Sequence, residues 1–94
     1  MTVEYSEQAV LDLYKISESS KREYGNETAL QLSAHIRKLI EQISADPESR
    51  SNVVQRPGVR VAALVRYPFK LFYQVSDGAI RILHIRHTSQ RPGN

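Results

Sequence analysis

Leu32, Ile36, Leu39, Ile40 and Ile43 stand at i, i+4, i+7, i+8 and i+11, one unbroken apolar stripe along a helix. Downstream the period changes. Segments 59–65, 69–75 and 79–86 are rich in β-branched and aromatic residues and are parted by Tyr67-Pro68 and by Ser76-Asp77-Gly78, the second a tight hairpin turn. A stripe of this kind must be buried, and a chain that places its helices first and its strands afterwards buries it on a sheet face. The expected architecture is α+β: an N-terminal antiparallel helical hairpin packed on a small twisted antiparallel β-sheet, with residues 2–5 as a further strand.

The first helix is expected over residues 7–24. Ser6 is placed to cap it and Glu7 suits the positive end of the helix dipole, while Ala9, Val10, Leu13, Tyr14 and Ile16 follow helical spacing. Gly25 is a natural C-cap. Asn26 is expected to cap the second helix, and Asp46-Pro47 to stop it, because a residue before proline is driven out of the helical region. With so short a link, the two helices must fold back on each other. Residues 48–58 read as a loop ending in the turn pair Pro57-Gly58.

Ninety-four residues suffice for a single domain, 1–94, with one core. There is no cysteine, so disulfides and thiolate metal sites are excluded, and the longest apolar run, 61–65, is far short of a membrane span. Cytoplasm is the default location. The formal net charge of +3 conceals a division: residues 1–48 carry nine acids and five bases, residues 49–94 one acid and eight bases. Such a split within one domain suggests a face that meets something anionic, or arginines that only solubilise strand edges.

No Cys nucleophile, Gly-x-Ser-x-Gly turn, Gly-rich phosphate loop or His-Glu-x-x-His spacing is present, and nothing in the sequence asks for a metal or a cofactor. His84 and His87, three apart in a strand, point to opposite faces and are poorly placed to share an ion. His87 lies near Arg86 and Arg91, a grouping that serves either as general acid–base chemistry on a phosphate or as an electrostatic grip without bond making. Arg60, Arg66, Lys70, Arg81 and Arg86 sit in or beside the strands. Alternation puts Lys70, Phe72 and Gln74 on one face and Leu71, Tyr73 and Val75 on the other, the second set toward the helices. Phe72 among cations suits stacking or a partner helix, and equally core packing.

Ala9 to Leu13 with Tyr24-Gly25 and Ala29, the segment FKLFYQV at 69–75 and the segment IRILHIRHTSQRP at 80–92 together resemble the ParE/RelE superfamily of toxins from bacterial type II toxin–antitoxin modules. The resemblance spans almost the whole chain. It implies a small toxin neutralised by a cognate antitoxin, whose binding segment should be acidic. RelE-like members cut mRNA in the ribosome, whereas ParE-like members inhibit DNA gyrase. Lys70 stands where RelE-like toxins typically place an arginine, so the charge is kept and the bidentate fork is lost. No tyrosine follows Tyr73, no glutamate follows Glu48, and an exact register would put Thr88, not His87, at the catalytic histidine position of some relatives. The short ending is more like ParE. The expectation is therefore a gyrase-inhibiting toxin that acts by binding, with Arg60, Lys70, Arg81, Arg86, His87 and Arg91 as target contacts. Two alternatives follow from the same resemblance: a ribosome-dependent endoribonuclease with His87 as acid or base, and a non-toxic module that only binds the antitoxin.

Overall fold

A computed structural model of the protein describes residues 1–88, so Arg91 lies outside the described residues. The element order is β1 (Thr2–Tyr5), α1 (Glu7–Tyr24), α2 (Asn26–Ala45), β2 (Ser51–Asn52), β3 (Val59–Ala63), β4 (Phe69–Ser76) and β5 (Ala79–His87). The strands form one sheet in the order β1-β5-β4-β3-β2. Helices first and strands afterwards give the expected α+β architecture, two helices packed on a five-stranded sheet. The sheet is mixed, because β1 lies parallel to β5 while every other pairing is antiparallel. The parallel edge arises because β1 and β5 are separated by the entire helical hairpin and by β2 to β4, so no tight turn sets their direction.

Ser6 caps α1 as its residue type requires, its Oγ accepting the Ala9 N–H at 2.9 Å. The same hydroxyl donates to the Leu83 carbonyl at 2.6 Å, and the Ser6 N–H donates to the Ile82 carbonyl. Gly25, at φ 90° and ψ 169°, ends α1 and at once serves as N-cap of α2. Asn26, expected to cap, is already the first helical residue, and no side chain caps α2. Asp77 and Gly78 both have positive φ, as the two central residues of a type I′ hairpin must. Residues 51–52, read as loop, form a short edge strand on β3, and β3 ends at Ala63, two residues early.

The stripe on α2 is buried as one face: Leu32, Ile36, Leu39, Ile40 and Ile43 join Ala9, Ala62, Leu71, Tyr73, Ile80, Ile82 and Ile85 in a single core between helices and sheet. Ile43, Tyr73, Ile80 and Ile82 are wholly inaccessible to solvent. No helix among the described residues is long and apolar enough to cross a membrane.

Candidate functional site

A bulge decides which side chains β5 presents on the sheet's open face, away from the helices. Ile80 and Ile82 are buried, so strict alternation would turn residues 84 and 86 toward the helices as well. The register shifts between Phe72 and Tyr73: Tyr73 pairs with Ile82 and Phe72 with His84, leaving Leu83 as the extra residue. Ile85 therefore takes the inward position opposite Leu71, both buried. His84 and Arg86 emerge on the open face, opposite Phe72 and Lys70 respectively.

The Phe72 and His84 rings stack with centroids 4.5 Å apart and planes inclined by 26°. Lys70 Nζ lies 5.7 Å from the Phe72 centroid and the Arg56 guanidinium carbon 5.8 Å from it, two cation–π contacts on one ring. Arg56 Nη1 also donates to His84 Nε2 at 2.6 Å. A guanidinium has no acceptor, so Nε2 must be the bare nitrogen and Nδ1 carries the hydrogen. That Nδ1 is buried without a hydrogen-bond partner among the described residues. Burial, then Arg86, then Arg56 push the His84 imidazolium down to about 4, against a weaker opposing pull from Asp12, so the ring is neutral at physiological pH.

Arg86 reaches from the open face around the sheet edge to Asp12 on α1, Nη1 to Oδ1 3.5 Å. Asp12 is itself buried, and its Oδ2 accepts the Ile85 N–H at 3.0 Å while Oδ1 accepts Gln8 Nε2 at 2.7 Å. Since β1 pairs with β5 only as far as Ile82, Ser6 and Asp12 take over its hydrogen-bonding role along the next three residues. The cationic end of β5 is thereby held against α1.

The remaining sequence-derived contacts fall elsewhere. Arg81 is exposed on the open face, in register with Gln74 on one side and Glu4 on the other. Arg60 pairs with Tyr73 and so faces the helix side, where its Nη1 donates to the carbonyls of Glu48 at 3.1 Å and Arg50 at 2.6 Å. His87 pairs with Phe69, also on the helix side, with the two rings edge to face at 5.3 Å. It lines a groove of about 570 Å³ between the hairpin and the sheet, with Ser20, Tyr24, Leu32, Tyr67 and Phe69 among its walls. The structure thus brings Lys70, Arg81 and Arg86 to one face and places Arg60 and His87 on the other. Tyr73 is buried and its hydroxyl donates to the Pro47 carbonyl at 2.7 Å; burial raises its pKa, partly offset by Arg60 and Arg50. Sequence reading missed Arg56, which sits in the loop between β2 and β3 and meets the face only through its contacts with His84 and Phe72, residues far along the chain.

The model of the family described as the ParE toxin of the type II toxin–antitoxin system parDE matches residues 3–92. The chain belongs to this ParE toxin family. A search of curated proteins finds no match. Among solved structures, the ParE toxin fold is similar to a chain of the chromosomal ParDE toxin–antitoxin system from P. aeruginosa, at 26% identity, TM-score 0.83, over 95% of this chain and 97% of that one. The isolated RelE toxin of E. coli shares the fold at TM-score 0.63 and 17% identity, covering 97% of this chain and 87% of that one. So does a chain of the toxin–antitoxin complex RelBE2 from Mycobacterium tuberculosis, at TM-score 0.64 and 22% identity, covering 95% and 92%.

Proposed function

We propose that this ParE toxin acts in the cytoplasm by binding DNA gyrase and holding it on cleaved DNA, through the open face of the sheet and without bond chemistry of its own. A cognate antitoxin neutralises it, an acidic segment of that partner covering the same cations. The ParDE system to which the fold is similar supports an antitoxin partner.

The observation that carries the reading is the gathering of Arg56, Lys70 and Arg86 around one stacked ring pair, with Arg81 beyond them. Like charges held this close repel one another, and an anionic target relieves that repulsion. The same geometry weakens the endoribonuclease reading. That mechanism would need His87 beside Lys70 and Arg86, and the sheet lies between them. His84, on the correct face, is neutral and already accepts from Arg56, so it is poorly suited to donate a proton to a leaving group. The contact set is accordingly Arg56, Lys70, Arg81 and Arg86, with Arg91 beyond the described residues. Arg60 and His87 leave it.

Purified protein is expected to inhibit supercoiling and to accumulate gyrase–DNA cleavage complexes, and the double variant Arg56→Gln/Lys70→Gln to do so about tenfold less well. Unchanged supercoiling at concentrations that arrest growth overturns the reading. Codon-phased cuts in ribosome-bound mRNA that vanish in His87→Ala replace it with the nuclease.

A further inference from the structure

We propose that the Phe72–His84 ring pair and its surrounding cations form a site for one unit of an unpaired phosphodiester strand, the base against the rings and the phosphate between Arg56 and Arg86. This rests on the binding reading above and names what the open face meets within the target: nucleic acid rather than protein.

Three observations point to a nucleotide. The rings are stacked on each other and both are only partly buried, so aromatic surface remains accessible at the sheet's open face. Cations arrive at it from three separate elements: Arg56 from the loop before β3, Lys70 from β4 and Arg86 from β5. Two of the three are guanidinium forks, the geometry that matches phosphate oxygens two at a time. A nucleotide supplies a planar ring and an anion at fixed separation, and this face offers a receptor for each. An acidic peptide carries carboxylates on flexible stems and would use the cations while leaving the rings idle. His84 is suited to the stacking role, since neutrality lowers the desolvation cost of covering it with a base. The acid nearest the cluster, Asp12, is buried behind the edge of β5, so it steadies Arg86 without occupying the face.

The test uses the whole chain and three labelled probes: a DNA strand and an RNA strand of about twelve nucleotides, and an oligoglutamate of equal charge. Both strands are expected to bind at about 50 mM salt and to weaken steeply as salt rises. Phe72→Leu should weaken strand binding about 5- to 100-fold, as loss of one stacked base does, and leave oligoglutamate binding unchanged. Arg56→Gln, a change at an exposed loop residue that leaves the core intact, should reduce the salt slope by about one unit. In NMR titrations the His84 ring resonances should move with added strand while those of His35, on α2, stay still. The tighter of DNA and RNA names the source of the strand. Absence of strand binding, an unmoved His84, or oligoglutamate binding as tight as the strand and equally indifferent to Phe72→Leu overturns the proposal. Gyrase poisoning without strand binding removes this inference and leaves the gyrase reading standing, and strand binding without gyrase poisoning does the reverse.

Discussion

Asp12 and His84 are the two side chains whose surroundings do most to shape the open face. Asp12 accepts from a backbone N–H and an amide and is ion-paired with a guanidinium, which is how a carboxylate is accommodated inside a helix–sheet interface. His84 is the converse case, an imidazole held neutral because burial and two arginines disfavour its charged form. Its folded pKa is about 4 and its unfolded value about 6.5, so between these values the unfolded chain holds a proton that the folded chain does not. The contribution of His84 to stability is therefore fully present above about pH 6.5 and is lost as pH falls toward 4. His84→Gln should remove that part of the loss. Melting temperatures of parent and variant at about pH 7 and about pH 4.5 provide the check, and the parent should lose more than the variant. Equal losses would show that His84 does not titrate in this window.

Among the elements, the helical hairpin turns on Gly25. At φ 90° and ψ 169° the backbone occupies a region that essentially only glycine visits, and a Cβ built there meets nothing within 4 Å. The obstacle to substitution is backbone strain, not a clash. Gly25→Ala should thus cost about 1–3 kcal/mol, read as a lower urea midpoint with an unchanged slope. A midpoint equal to the parent's would mean that the joint relaxes at no cost. Because one residue ends α1 and begins α2, Asn26 has no room to act as a cap, which is why that expectation fails while the helix limits of the hairpin hold. At the other end of the chain, β5 is legible as a strand, its bulge less plainly. Alternation over Ala79 to His87 slips at Ile82-Leu83, where two apolar residues stand together and the polar positions move from 81 to 84 and 86. Reading the segment as one regular strand passes over this sign of the bulge, and pairing with β4 makes it plain.

Taken whole, the molecule has a helical layer of nearly balanced charge, six acids and five bases over residues 7–45, and a basic sheet, joined by one core. Ile43 lies at the centre of that core with no exposed surface, so Ile43→Ala should remove about 2–5 kcal/mol of stability through lost burial and the cavity left behind. Calorimetry or denaturant unfolding measures it, and any loss of toxicity in this variant reports on folding, not on the binding face. A cost below about 1 kcal/mol would mean that the hairpin repacks to fill the space.

Local chemistry in the chain was enough to set both helices, every strand but β2, their order, the Ser6 cap, the Asp77-Gly78 hairpin and the inward residues of β4, since capping, turn geometry and side-chain alternation act over a few residues. The direction of β1, the pairing of the bulge with β4, the commitment of Arg60 to loop carbonyls and the arrival of Arg56 over Phe72 emerged only on folding. Those features depend on partners far apart in the chain, 28 residues for Arg56 and His84 and 73 for Asp12 and Ile85. Proximity across such separations comes from packing the hairpin on the sheet, and no short-range pattern encodes it.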